Sequence, residues 1–437
     1  MEADSSTICK DITMRGQCCK RSFCDESVDI EKSATKTPTG VGAGNQSQEK
    51  RQKLDFLDRY MALWVLLAMT GGILIGYFIP SANLVLDKGK FAGVSGPIAA
   101  LLLLMMYPIL LDVSFESLPV VVRQSNLWKE VLLNIFVNWL ISPLVMFSLA
   151  WATLPDASAL REGVILVGIA RCIAMVLIWV RLAQGDTVLG SLLVTINALI
   201  QIILVAPLSV LFLEVFRGGD SSSSASAGEI YTTTASSVAI FLGIPLSLAA
   251  VTRLVFLHVK PFRLRRWNTL TPREVYEGAL VPALAPLSLV GLLGTIILLF
   301  IAQGRHVVAQ ITSVLRVAAP LCIYFPITYL GTLFLCWKVL PRIGVTFQAP
   351  SASEIAPDAR LRRMPFSRAT MHAFLAASNN FELAIAVATA RSGAQSNQSL
   401  ATSVGPLVEV PVMLGLVWVS DWFRRHWKVD EVEDAIM

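Results

Sequence analysis

Two apolar segments of the chain carry ionisable or reactive side chains. The first, GIARCIAMVLIW (168–179), holds Arg171 and Cys172 side by side, and the second, ASNNFELAIAVA (377–388), holds Glu382. A cysteine sulfur is a ligand for soft metal and metalloid centres, and a carboxyl group can take up and release a proton. Ionisable groups in such apolar surroundings are costly and are functional by default. These segments therefore predict a site that combines a soft ligand with a proton carrier.

The other candidates are polar residues in, or shortly after, the same two segments. Each also has a structural interpretation, because buried cysteine packs as a small hydrophobe, glutamate can cap a helix and amides can join neighbouring helices. The spacing of Asn379 and Glu382 is typical of a capping box, which predicts that a helix begins there. The predicted ligand-binding residues are Arg171, Cys172, Asn197, Gln201, Asn379 and Asn380, and the predicted proton carriers are Glu382 and Glu409.

The composition predicts that these groups lie in a membrane. Of 437 residues, 54% are hydrophobic and 15% are charged, and the mean hydropathy is +0.63. A soluble domain carries about a quarter charged residues, so a polytopic membrane protein in a lipid bilayer is expected. The net charge of +5 is small and bears on topology rather than on nucleic acid, for which no partner role is expected.

Apolar stretches follow one another along most of the chain. Each has at least 18 residues, close to the roughly 20 that cross a hydrocarbon core as a helix. The polar first 55 residues are expected to form a disordered cytosolic tail. The predicted transmembrane helices are 60–80, 94–111, 131–154, 163–180, 188–216, 235–258, 279–302, 311–340, 369–390 and 401–423.

Basic residues predict the orientation of these helices. Lys and Arg concentrate before the first helix, in the segments 259–273 and 341–368, and after the last helix. Because basic segments stay in the cytosol, both termini are expected there. A Ser-rich loop, 218–234, is then external, and residues 428–437 form a second cytosolic tail.

The two polar segments also indicate an internal repeat. Placing Cys172 on Glu382 brings Gln201 within two positions of Glu409. Residues 56–217 and 235–427 would then be two copies of one five-helix unit. Because five is odd, the second copy enters the membrane inverted, as in many transporters. The predicted fold is therefore all-α, with ten transmembrane helices in a five-plus-five inverted repeat and interruptions in helices four and nine.

Four motifs resemble one family of carriers. The motifs are, in this order, ARCIAMV (170–176), LAQGD (182–186), NNFELAIAVA (379–388) and VGPLVEVPV (404–412). The resemblance covers about residues 55–427. The chain resembles the arsenical-resistance-3 type of arsenite permease, within the bile acid, arsenite and riboflavin transporter superfamily. The ten-helix inverted repeat is also what this resemblance implies.

The resemblance implies a function and roles for two residues. It implies secondary export of arsenite, with antimonite as an open second substrate, coupled to proton entry and conferring arsenic resistance. Cys172 would be the arsenic ligand and Glu382 the acidic residue. Arsenite and protons are then the expected partners, with no cofactor and no enzymatic reaction. The plasma membrane is the expected location, with the vacuolar membrane as the alternative.

Three other functions remain open from the sequence. A carrier of the same fold could move an organic anion with sodium, and it would not need the thiol. A membrane sensor could bind metalloid without carrying it. An intramembrane enzyme could pair Cys172 with a histidine, although only His372 lies in the interior of a predicted helix.

Overall fold

The computed structural model describes residues 61–79, 82, 89–111, 127–173, 175–217, 226–258, 275–343, 345 and 364–436. The predicted tail 1–55 lies outside these residues. Nearly all of the described chain is helical. The helices are α1 (Met61–Phe78), α2 (Gly96–Leu111), α3 (Leu127–Thr153), α4 (Ser158–Ile169), α5 (Val176–Leu182), α6 (Thr187–Leu213), α7 (227–258), α8 (276–309), α9 (Ile311–Arg342), α10 (Phe366–Ala377), α11 (Phe381–Ser392) and α12 (Asn397–Ile436).

Six of these helices, α3, α6, α7, α8, α9 and α12, are long and apolar enough to cross a membrane, and α1 and α2 are shorter apolar helices. Large apolar side chains stand exposed on them, including Val188 at 81%, Trp418 at 73% and Ile203 at 71%. Apolar exposure of this extent is incompatible with water as the surrounding solvent. The chain is therefore an integral, multi-pass membrane protein.

The remaining helices come in two consecutive pairs that interrupt predicted spans. The predicted helix 163–180 is divided between α4 and α5, and the predicted helix 369–390 is divided between α10 and α11. The backbone is extended just after each first half, with φ −79° and ψ 119° at Ala170. At Ser378 the corresponding angles are −84° and 142°.

Four long helices contain one π-helical turn, and each of these turns is followed two residues later by a proline. Proline lacks an N–H and its ring clashes with the carbonyl of the preceding turn, so the helix widens there. The turns are Val137–Ile141, Ala239–Gly243, Tyr276–Leu280 and Leu335–Val339. The prolines are Pro143, Pro245, Pro282 and Pro341.

Two helices extend into segments that the sequence assigned to a loop and to a tail. Helix α7 begins at Ala227, inside the predicted loop 218–234, because the Ser226 hydroxyl accepts a hydrogen bond from the Glu229 N–H and caps it. A serine followed three residues later by glutamate is a helix-start signal. At the other end of the chain, α12 continues to Ile436 through the predicted tail.

Helix α8 packs along α1 and α2 at positions where glycine allows the backbones to approach closely. A Cβ atom on Gly76 would lie 2.3 Å from the Ile301 carbonyl oxygen, and one on Gly291 would lie 2.9 Å from the Met105 Cβ. These three helices form one wall of the cavity described below. A short hairpin of β1 (Lys90–Phe91) and β2 (Val94–Ser95) precedes α2.

Candidate functional site

The two breaks lie against each other and pair through their backbones. The Cys172 N–H donates to the Ser378 carbonyl oxygen at 3.4 Å, and the Asn380 N–H donates to the Ala170 carbonyl oxygen at 3.0 Å. Backbone groups at membrane depth need partners within the protein. Each extended segment therefore supplies the hydrogen bonds that the other has lost by leaving the helix.

Arg171 and Asn379 form the antiparallel bridge at the centre of this pairing. In this antiparallel register Ser378 lies opposite Cys172, and Asn380 lies opposite Ala170.

Two buried side chains from neighbouring helices hold the breaks. The Gln201 Oε1 on α6 accepts the backbone N–H of Arg171 at 2.6 Å. The Glu409 Oε1 on α12 accepts the Ser378 hydroxyl at 2.6 Å. Gln201 is 0% exposed and Glu409 is 1% exposed. Gln201, a predicted ligand-binding residue, is therefore positioned to fix the loop that carries Cys172.

Arg171 is fully buried, and its guanidinium group points to protein oxygens. The Nη1 donates to the Ala376 carbonyl at 3.1 Å. The Nη2 donates to the Gly168 carbonyl at 2.6 Å, the Asn379 Oδ1 at 3.1 Å and the Tyr324 hydroxyl at 3.2 Å. Arg171 does not line the cavity at the breaks. The geometry therefore gives it protein contacts in place of the predicted ligand contact.

A cavity opens beside the breaks, between them and the wall formed by α1, α2 and α8. Its polar lining residues come from the breaks, α11 and α12, and its apolar lining on the opposite side comes from the wall. The polar lining residues are Cys172, Asn379, Asn380, Glu382 and Glu409, and the lining residues of the wall are Val65, Met106, Leu292 and Ile296. The predicted thiol and both predicted carboxyl groups thus line one space.

Cys172 sits at the floor of this cavity, with 7% of its surface exposed. Its thiol lies near the Ser378 hydroxyl and the Val176 N–H, the first amide of α5. The Ser378 hydroxyl donates to Glu409, so the thiol, this hydroxyl and a carboxyl group lie close together. Ser378 was missed in the sequence, although its place directly before Asn379 in the interrupted segment was the available signal.

Helix α11 is capped by Asn380 and not by Asn379, the residue that the capping-box spacing indicated. The Asn380 Oδ1 accepts the Leu383 N–H at 3.0 Å, while the Asn379 Nδ2 donates to the Val167 carbonyl at 2.7 Å. Either of the two adjacent asparagines could cap the helix. Asn379 forms the bridge to Arg171, which leaves Asn380 as the cap. Glu382 lies in the first turn of α11 and is half-buried.

Asn197 belongs to a separate polar cluster between α3 and α6. Its Oδ1 accepts the Asn134 Nδ2 at 2.8 Å and the Trp139 Nε1 at 3.2 Å. Asn138 donates to the Asn134 Oδ1 at 3.0 Å. Asn197 does not line the cavity, so the interhelical interpretation fits it better than ligand contact does.

A buried ion network that the sequence did not reveal joins α3 to α10. The Glu130 Oε1 accepts from the Arg368 Nη1 at 3.0 Å, and the Glu130 Oε2 lies 2.7 Å from the His372 Nε2. Arg368 served only as a topology marker in the sequence, and His372 only as a candidate base. His372 is paired with Glu130 rather than with Cys172, so no histidine base stands beside the thiol in the described part of the chain.

Comparisons with known proteins decide the family. The model of the "Sodium Bile acid symporter family" matches residues 99–310. The chain is 36% identical over 377 residues to the arsenical-resistance protein Acr3 of Corynebacterium glutamicum, covering 86% of this chain and 92% of that protein. The chain belongs to the Acr3 family.

Two other relatives align over a similar length of the chain. The Acr3 protein of Alkaliphilus metalliredigens is 30% identical over 395 residues, covering 88% of this chain and 98% of that protein. An uncharacterized transporter of Synechocystis is 31% identical over 395 residues, covering 85% of this chain and 91% of that protein. The family model spans the first break only, whereas these alignments are long enough to take in both. Acr3 membership therefore makes the chain a transporter.

Proposed function

We propose that this Acr3-family chain is a secondary carrier that exports arsenite from the cytosol and so confers arsenic resistance. One observation carries the proposal: a thiol, two asparagines and two carboxyl groups line one cavity at the crossing of two broken helices. Sites of this kind, at the meeting point of interrupted helices, are where carriers bind their cargo. Antimonite is a second substrate to be tested with the same assay.

The proposed binding step uses the chemistry of the thiol. Arsenite near neutral pH is mostly an uncharged trihydroxide with a soft centre, which suits sulfur. A sulfur–arsenic bond forms as one arsenic–oxygen bond breaks, and the thiol proton leaves with that hydroxide as water. A single thiol keeps the exchange reversible, as release from a carrier requires. Asn380 uses its amide oxygen for the helix cap, so we assign its amide nitrogen to a hydroxyl of the cargo.

The proposed proton carriers are Glu382 and Glu409. Glu382 is half-buried on the cavity and stands in the first turn of α11. Glu409 is buried and holds the Ser378 hydroxyl. We assign the coupling proton first to Glu382, because Glu409 also has a structural task. Loading and release of the proton as access alternates would drive export.

The proposed topology has ten spans in a five-plus-five inverted repeat, with both termini in the cytosol of a plasma-membrane protein. Two observations support it. Equal distances of 30 residues separate Arg171 from Gln201 and Asn379 from Glu409. The breaks also exchange reciprocal hydrogen bonds, as a pseudo-twofold axis between two copies would produce. The proposed repeats remain 56–217 and 235–427.

Everted membrane vesicles test this function. We expect radiolabelled arsenite to accumulate when a pH gradient is imposed, acid inside, and to stop accumulating when the gradient is collapsed. A Cys172→Ser chain at equal abundance should not accumulate it, whereas Cys322→Ser, a change at an exposed cysteine on α9, should. Binding without any accumulation would favour the sensor instead.

The family model offers one competing function, a sodium-coupled carrier of organic anions, because its description names a sodium symporter of bile acid. The same vesicles discriminate between the two. A sodium gradient that drives bile acid uptake, together with no arsenite accumulation under a pH gradient, would replace the arsenite proposal.

A further inference from the structure

One guanidinium group caps the carboxyl ends of two half-helices at the crossing. Helix α4 ends at Ile169 and α10 ends at Ala377. The last four carbonyls of a helix lack partners within it. Arg171 donates to one such carbonyl on each helix, to Gly168 at 2.6 Å and to Ala376 at 3.1 Å.

The charges at this point balance without a directly bound carboxylate. The remaining oxygens around the guanidinium are the Asn379 Oδ1 and the Tyr324 hydroxyl, and both are neutral. Among the described residues, no carboxylate forms an ion pair with Arg171; Glu409 interacts with its charge only at longer range. A helix carboxyl end carries about half a negative elementary charge. Two such ends therefore match the single positive charge of Arg171.

Oxygens arranged in this way form the kind of site that binds a coupling cation in other carriers. Where transmembrane helices are broken, the carbonyl ends of half-helices and the unwound backbone coordinate sodium. The matching family model is itself named for a sodium symporter. In this chain the Arg171 side chain supplies the positive charge that a bound sodium ion supplies in those carriers.

We propose that the Arg171 guanidinium is a tethered cation that takes the place of a bound sodium ion at the helix crossing, so that this chain neither binds nor requires sodium there. Arg171 is then a positioning residue. It holds Gly168 and Ala376 together, and with them the two breaks that carry Cys172 and Asn380. The inference concerns the crossing and not the cargo, so it stands independently of the arsenite proposal.

The stability of the purified full-length chain tests this proposal. We would measure Tm by tryptophan fluorescence in nanodiscs, in sodium chloride and in choline chloride at equal ionic strength. The wild-type chain should have the same Tm in both salts. Arg171→Ala should have a lower Tm in choline chloride, and millimolar guanidinium should raise it along a saturable curve, with sodium giving a smaller rise.

Two further variants keep the test decisive. Arg181→Ala removes an exposed arginine from α5 and should show no saturable response to guanidinium. Arg171→Lys keeps the charge but loses the two Nη groups that reach both helix ends. Its Tm should therefore be intermediate and independent of sodium. It replaces Arg171→Ala if that variant cannot be purified.

Three results would overturn the proposal. The first is a saturable rise in wild-type Tm with sodium over choline. The second is a folded Arg171→Ala chain that is as stable as the wild type, or that no cation restores. The third is an Arg171→Lys chain that depends on sodium. A loss of arsenite transport alone would leave all three measurements unchanged.

Discussion

Cys172 is the residue on which the arsenite proposal depends. Of the three described cysteines, Cys322 is exposed on α9 and Cys336 is buried in the π-helical turn near the end of that helix. Only Cys172 lies at a helix break and lines the cavity at the breaks. Its environment, rather than its burial, therefore distinguishes it from a packing cysteine.

Cys172→Ser should abolish arsenite export while leaving membrane insertion normal. Serine keeps nearly the same size and can form hydrogen bonds, but it lacks the soft sulfur. The measurement is arsenite accumulation in everted vesicles, normalised to the amount of folded protein. Cys322→Ser and Cys336→Ala, made in parallel, should retain export. Normal export by Cys172→Ser would mean that the thiol only packs.

Glu382→Gln separates proton coupling from helix capping. Glutamine has nearly the same volume and can serve the first turn of α11 as glutamate does, but it cannot carry a proton. We expect proton-driven export to be lost, while exchange of labelled for unlabelled arsenite across vesicles without a gradient persists. If Glu382→Gln still concentrates arsenite with the wild-type pH dependence, the proton is carried elsewhere, and Glu409→Gln becomes the next variant.

At the scale of the helices, the breaks depend on close packing as well as on hydrogen bonds. Phe381 is the first residue of α11, is 2% exposed and lines the cavity. Its ring fits against Gly405 of α12 so closely that a Cβ atom there would lie 1.8 Å from the ring. A glycine on α12 thus leaves the space that the ring at the start of α11 occupies.

Gly405→Ala should therefore displace Phe381 and impair transport through its effect on α11. Overpacking of this kind costs roughly 1–3 kcal/mol in stability, so Tm should fall together with the rate of arsenite transport. Gly415→Ala on the same helix is the matched control, because no atom lies within 4 Å of its added Cβ. Equal Tm and transport in the two variants would contradict this account of the packing.

The sequence predicted the interrupted segments because their polar residues stand out in apolar surroundings, but it could not assign each side chain its task. The partners of Arg171 include Ala376, which lies 205 residues away in the chain. Asn197 has its partners on α3, among residues that the motif search did not include. Which polar residue faces the cavity is decided by packing between distant helices, and a local pattern does not contain that information.

At the scale of the whole molecule, the pair α4–α5 and the pair α10–α11 lie antiparallel to each other. At one end, the Asp186 N–H just after α5 donates to the Ser367 carbonyl at the start of α10 at 3.0 Å. At the other end, Glu162 near the start of α4 lies 3.4 Å from Arg391 near the end of α11. The end of α5 therefore lies beside the start of α10, and the start of α4 lies beside the end of α11.

This arrangement makes the position of the loop around Ser223 the decisive test of topology. If α4 and α5 together cross the membrane, five spans precede Ser223, and it lies on the side opposite to both termini. If they only enter and return, four spans precede it, and it lies in the cytosol. The excess of Lys and Arg near the proposed cytosolic ends favours the first case. A reporter inserted at Ser223 and one fused after Met437 should therefore report opposite sides, whereas a cytosolic signal from both would contradict the ten-span topology.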